Sequence, residues 1–331
     1  MPGEAPQLRE RVLGSLFGAA VGDALGVPVE FSDRAALERN PVTGLRAYGT
    51  HSQPAGTWSD DTSMALCLAE SIVSVDWDLE DQAARYARWA FEDYMTPHGV
   101  TFDIGNTTRA ALQRYRHGTP ARRCGGTAEQ DNGNGGLMRI LPAALYCAGA
   151  PVDALVQGLS DATALTHAHA RSRLASVYFG LLVRELLQAV TAAAAVRETA
   201  RLLRELATGG SLPETLTAEL PSLSRMVDRD PAALPRHEIN SGGYVIDTLE
   251  ASVWCLLTTG SYRDCVLEAV NLGGDTDTTG TVAGALAGLQ WGLPSIPSDW
   301  LAALVQREEL EALYQKITDV VVRRITDTPA R

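Results

Sequence analysis

LRERVLGSLFGAAVGDALG, residues 8–26, is the stretch whose reading decides the fold. Leu8, Val12, Leu13, Leu16 and Phe17 recur at the three- and four-residue spacing of one helical face. The segment then runs into Gly18 to Gly26, which is rich in small residues, and Gly22-Asp23-Ala24-Leu25-Gly26 reads as a helix ending in a glycine turn. The same period continues outward. Met64, Leu66, Leu68 and Ile72 place a helix over 62–73, opened by Ser59-Asp60-Asp61, and Leu79, Ala83, Tyr86, Ala90 and Tyr94 place an amphipathic one over 79–94. Further helices are predicted at 105–116, 137–148, 152–163, 168–190, 193–207, 213–227, 243–258, 262–270, 277–290 and 306–325. Period-2 alternation bounded by hairpin turns is missing. The fold class is all-α.

Composition agrees. Of 331 residues, 45% are hydrophobic and 21% charged, which is ordinary for a globular chain with a sizeable core. Thirty glycines against 6% aromatics favour closely approaching helices over a β-sandwich. A net charge of −12 argues against a direct grip on nucleic acid, which needs clustered Lys and Arg. It leaves room for an anionic ligand, because bound cations invert local electrostatics. Five scattered cysteines with no CxxC pair point to neither a disulfide framework nor a zinc site. With no charge-free apolar stretch of the roughly 20 residues that span a bilayer, and no basic leader, the expectation is a cytoplasmic protein without a membrane partner.

Two stretches break the helical pattern. Residues 118–136, GTPARRCGGTAEQDNGNGG, are too long and glycine-rich for a routine connection and read as a binding loop. Residues 209–240 hold several prolines and weak periodicity, and read as a variable surface excursion. No composition shift marks a boundary, so 1–331 is taken as one domain.

Two acidic motifs carry the chemistry. Thr57-Trp58-Ser59-Asp60-Asp61-Thr62 and Gly273-Gly274-Asp275-Thr276-Asp277-Thr278-Thr279-Gly280 each stand just before a helix. Ser and Asp there are ordinary N-caps, stabilising by about 1 kcal/mol each, and they suit the positive end of the helix dipole. Capping needs one such residue, however, and each segment supplies two carboxylates with flanking hydroxyls. If the segments converge, four carboxylates share a small volume, a costly arrangement unless cations sit between them. Hard cations such as Mg²⁺ or Mn²⁺ prefer oxygen ligands of this kind. Elsewhere, Glu30 follows the glycine turn, and Asp103 or Asn106 in Asp103-Ile104-Gly105-Asn106-Thr107-Thr108 could simply cap a helix. His167 and His169 flank Ala168, a spacing unsuited to joint ligation on a helix, and read as structural or substrate-contacting. Tyr244 reads as a core aromatic or a stacking platform.

Together these segments resemble the ADP-ribosylglycohydrolase family, in particular its bacterial dinitrogenase-reductase-activating branch. The resemblance rests on GAAVGDALGVPVEF (18–31), GTWSDDTSMAL (56–66), DIGNTT (103–108), GNGGLMRILP (133–142), THAHARS (166–172), SGGYVIDTLEAS (241–252) and NLGGDTDTTGTVAGALAG (271–288), in the family's order. It implies an orthogonal helical bundle with two divalent cations, Mg²⁺ or Mn²⁺, at the base of an ADP-ribose cleft. Carried over residue by residue, it makes Ser59, Asp60, Asp61, Asp275, Asp277 and Thr278 the metal ligands. Asp103 becomes the acid/base, with Glu30 a second carboxylate at the metal site or substrate. Gly105, Asn134, Gly135, Gly136 and Met138 would wrap ribose and diphosphate, with His167 near the cleft and Tyr244 near the adenine.

The implied reaction is hydrolysis of the bond from ribose C1″ to an ADP-ribosylated side chain, foremost arginine, in a modified protein or small conjugate. Two other readings stay open: the same chemistry on serine-linked ADP-ribose or O-acetyl-ADP-ribose, and a non-catalytic, crystallin-like relative. The oligomeric state is open, with a monomer the starting expectation.

Overall fold

A computed structural model describes residues 7–188 and 191–327. Among these the chain forms α1 (Leu8–Gly26), α2 (Arg34–Arg39), α3 (Asp60–Val75), α4 (Leu79–Glu92), α5 (Asn106–Arg116), α6 (Leu141–Cys147), α7 (Val152–Ala164) and α8 (Ala170–Leu187). It continues with α9 (Ala192–Thr208), α10 (Glu214–Thr217), α11 (Ser224–Val227), α12 (Val245–Thr258), α13 (Tyr262–Asn271), α14 (Thr276–Trp291), α15 (Ser298–Ala303) and α16 (Arg307–Thr326). No strand is present among the described residues, only three isolated bridges. The all-α expectation holds, and one continuous core runs through the long helices.

The centre is a glycine seam between α1 and α14. Gly14, Gly18 and Gly22 recur every four residues along α1 and face Gly288, Gly284 and Gly280 of α14 in antiparallel order. A Cβ on Gly18 would stand 2.4 Å from the Gly284 carbonyl oxygen, and one on Gly22 would stand 2.0 Å from that of Gly280. Only hydrogen fits, so the two backbones touch. Gly26 continues the row and meets Asp277, where an added Cβ would lie 2.3 Å from the Asp277 Cα. The helix ends at Gly26 as expected, but neither Gly22 nor Gly26 takes a positive φ, so no left-handed glycine turn closes it. α1 runs through Gly26 into a 3₁₀ turn at Val27–Val29, and these glycines serve close packing. Leu8–Val29 is long and apolar enough to cross a bilayer, but its most apolar window is wholly buried in this core.

Most predicted helices appear within two residues of their expected ends, and the last two residues of the 168–190 prediction lie outside the described ones. Two predictions change. The 137–148 helix begins only at Leu141, after a turn over the preceding residues. The 213–227 helix breaks into α10, a 3₁₀ turn at Leu220–Leu223 and α11. Pro221 offers no amide hydrogen and cannot sit inside a continuous helix. This stretch is anchored all the same: Leu212, Leu216, Leu223, Met226 and Ile239 are buried, and the Trp254 indole donates to the Leu234 carbonyl.

Candidate active site

The first turn of α3 is set from a distance. Asp23, wholly buried on α1, accepts the backbone amides of Ser59 (2.9 Å) and Thr62 (3.1 Å) and the Thr62 hydroxyl (2.6 Å). Ser59 caps locally, accepting from the Asp61 amide at 3.3 Å. The amides of Ser59, Asp61 and Thr62 at the helix start are thus met by Asp23 and Ser59. Asp60 and Asp61 are left over for other work.

The start of α14 is built differently. Gly273 and Gly274 take φ of +78° and +75°, and the Gly274 amide and carbonyl pair with Ser32 and Phe31. That pairing lays Glu30 beside the motif. The Asp275 amide donates to Ser241 (2.8 Å), and the Asp275 side chain makes no cap. Its Oδ2 instead accepts from Asn134 Nδ2 at 2.9 Å, which ties the 133–136 loop to the acidic cluster. The two helix starts meet where Thr278 Oγ1 donates to Asp61 Oδ1 at 3.3 Å.

The result is a cavity of about 260 Å³ whose carboxylate lining comes from Glu30, Asp60, Asp103 and Asp275, with Thr278 beside them and no Lys or Arg. Asp61, Asp277 and Ser59 lie buried. Gly105, Asn134, Gly135, Met138 and His167 line it, while Gly136 packs against His167. Tyr244 stands apart from the lining. Its hydroxyl accepts from Arg171 at 3.2 Å, and its neighbour Gly243 faces the cavity. The capping explanation offered for Asp103 and Asn106 does not describe this site: α5 starts without a side-chain cap, and Asp103 faces the cavity with φ of +53°. His169 caps α8, accepting from the Arg171 amide at 3.2 Å. A larger hollow of about 410 Å³ lies between α9 and residues 226–232, but no cluster of metal-capable side chains lies in it among the described residues.

Sequence reasoning passes over His51. Its Nε2 bonds Glu30 Oε2 and lies 3.9 Å from Asp103 Oδ2, and the ring contacts Phe102 and Phe31. No motif marks it; only the fold brings it to Glu30. Asp23 is missed for the same reason.

Burial pushes the acids upward. Asp60, Asp61 and Asp277 are raised well above the usual carboxylate range by loss of water and then by the charge of neighbouring carboxylates, foremost Asp103, Asp23 and Glu30 respectively. Burial raises Glu30 to about 7 and Asp23 to about 6. His167 moves the other way, lowered to about 3 by burial and by Arg139.

Three buried oxygens in this cluster, Asp61 Oδ2, Asp275 Oδ1 and Asp277 Oδ2, have no hydrogen-bond partner among the described residues. Ligand oxygens of Glu30, Asp275 and Asp277 lie within 4.8 Å of one another, and Glu30, His51 and Asp103 form a second such group. Buried polar atoms are almost always paired. Anionic oxygens left open side by side fit a hard cation.

Residues 4–327 match the profile of the ADP-ribosylglycohydrolase family. The chain is 33% identical over 311 residues to the ADP-ribosylarginine hydrolase Tri1 of Serratia proteamaculans, covering 93% of this chain and 79% of that one. It is 32% identical to the ADP-ribosyl-[dinitrogen reductase] glycohydrolase of Rhodospirillum rubrum, covering 94% and 95%. A solved ADP-ribosylglycohydrolase-related protein complex superposes with a TM-score of 0.79 at 35% identity, covering 95% of this chain and 99% of that one. The chain belongs to the ADP-ribosylglycohydrolase family. It is a hydrolase acting on glycosidic bonds.

Proposed function

We propose that this chain hydrolyses the N-glycosidic bond between ribose C1″ and the guanidino nitrogen of ADP-ribosylated arginine, releasing ADP-ribose with the help of two divalent cations, Mg²⁺ or Mn²⁺. The observation that carries the reading is the set of unpartnered carboxylate oxygens on Asp61, Asp275 and Asp277 beside the cavity. The Serratia and Rhodospirillum relatives, named for ADP-ribosylarginine and ADP-ribosyl-[dinitrogen reductase], supply the substrate class. Ser59, Asp60, Asp61, Asp275, Asp277 and Thr278 are the residues that would hold the ions. When bound, such ions offset the acidic charge, orient oxygen ligands of the substrate and polarise a water.

The chain's own residues do the rest. Asp103 lines the cavity and stays partly open to solvent. It takes a proton from the attacking water and returns one to the departing guanidino nitrogen, as the C1″–N bond breaks and a C1″–O bond forms. Glu30, fixed by His51, shares the site as the second carboxylate. The 133–136 loop lines one side of the cavity, and its backbone amides suit diphosphate oxygens. Five free cysteines, all buried, fit a reducing cytoplasm.

The test is release of ADP-ribose from arginine-, serine- and acetyl-linked substrates, with Mg²⁺, with Mn²⁺ and with chelator. Turnover confined to the arginine-linked substrate and abolished by chelator is expected. Preference for either other linkage would overturn the substrate assignment, and full activity in chelator would overturn the metal one.

A further inference from the structure

Beneath the 133–136 loop lies a guanidinium with no acidic partner. Arg139 is fully buried, its Cζ 4.8 Å from the centre of the Tyr86 ring, and no carboxylate is in ion-pair reach among the described residues. Its Nη1 donates to the Gly135 carbonyl and its Nη2 to Thr166 Oγ1 at 2.7 Å, while Nε has no hydrogen-bond partner among the described residues. Thr166 Oγ1 in turn stands 2.8 Å from His167 Nδ1. The far edge of that imidazole abuts the loop: a Cβ on Gly135 would lie 2.8 Å from Cε1 and 3.3 Å from Nε2. His167 Nε2 has no protein partner among the described residues, and the ring lines the cavity.

The direction of each bond follows from the donor inventory. A guanidinium only donates, so the Thr166 oxygen accepts from Arg139. A hydroxyl has one proton, and Thr166 is fully buried with no acceptor besides His167 Nδ1 among the described residues. Were Nδ1 protonated, the threonine proton would be stranded, a buried unmet donor costing about 1–3 kcal/mol. A doubly protonated ring would add a second charge beside the uncompensated Arg139.

We propose that Arg139 and Thr166 are positioning residues that lock His167 as the neutral Nε2–H tautomer and so make it an obligatory hydrogen-bond donor to an oxygen of the ADP-ribose portion of the substrate. The identity of that ligand rests on the proposed function; the tautomer does not. Arg139 also holds Gly135, so the same guanidinium sets the loop backbone and the donor polarity of the ring against it.

The experiment is long-range ¹H–¹⁵N NMR of the His167 ring in the full chain, with ADP-ribose affinity by calorimetry, on wild type, Thr166→Val and Thr166→Ser. Wild type is expected to show a protonated Nε2 and a bare Nδ1 across neutral pH. Thr166→Val, close to isosteric, should mix the tautomers and weaken ADP-ribose by about tenfold, with circular dichroism unchanged. Thr166→Ser should restore both signals. A wild-type ring protonated at Nδ1 overturns the proposal without any variant having to fold, as does a Thr166→Val protein with unchanged tautomer and affinity. Failure to hydrolyse ADP-ribosyl-arginine would instead sink the functional reading and leave the tautomer result standing.

Discussion

Thr278 Oγ1 donates to Asp61 Oδ1 across 3.3 Å, although 217 residues separate them in the chain. The bond joins the first turns of α3 and α14. It places the unpartnered oxygens of Asp61 and Asp277 beneath one cavity, where neither motif alone would call for a cation.

Asp60→Asn and Asp277→Asn should each abolish turnover while far-ultraviolet circular dichroism stays unchanged, because neither carboxylate supports the core. A steady-state assay of ADP-ribose release checks this, and wild-type activity in either variant contradicts the site.

Asp103→Asn should lose turnover and keep divalent-ion affinity, since Asp103 is grouped with Glu30 and His51, is not among the three unpartnered carboxylates, and is assigned to proton transfer. Calorimetric titration of the variant decides the matter. Loss of ion binding would move Asp103 among the ligands.

The metal-free protein should lose stability as pH rises from about 4 to about 7. Burial raises Glu30 to about 7 and Asp23 to about 6 and lifts Asp60, Asp61 and Asp277 as well. Acids raised on folding bind more protons folded than unfolded, so stability is full below the unfolded values and drains as pH climbs through the folded ones. Melting curves in chelator should fall across that window, and saturating Mg²⁺ should restore the loss at pH 7. A flat profile in chelator contradicts the convergence of charge.

Asp23→Ala strips the start of α3 of its acceptor for two amides and a hydroxyl, and should cost about 2–4 kcal/mol in urea unfolding, with loss of activity. Gly18→Ala drives a methyl into the Gly284 carbonyl and should cost about 3 kcal/mol or more. Gly260→Ala, where nothing stands within 4 Å of an added Cβ, should cost little. Equal melting temperatures for the two glycine variants would contradict the seam.

Much of this was legible from sequence because helix starts announce themselves: Ser59 is an N-cap and Asp275 stands at the N-cap position, as their motifs predict. Two features escaped for physical reasons. α1 and α14 are buried nearly all round, so neither has a polar face to set its orientation; the four-residue glycine rows carry that information instead. Asp23, His51, Arg139 and Thr166 matter through partners distant in the chain or through a buried relay, and no local pattern distinguishes them from ordinary core or loop residues. The 213–227 stretch failed differently: periodicity was already weak there, and Pro221, with no amide hydrogen, stands in the 3₁₀ turn that divides it.

The most direct test of the central claim is calorimetric titration of Mn²⁺ into the chelator-stripped protein, alongside Asp61→Asn and Asp277→Asn. Micromolar binding by wild type that vanishes in both variants is predicted. A wild-type protein that takes up no divalent ion, or variants that bind it as well as wild type, would contradict the account.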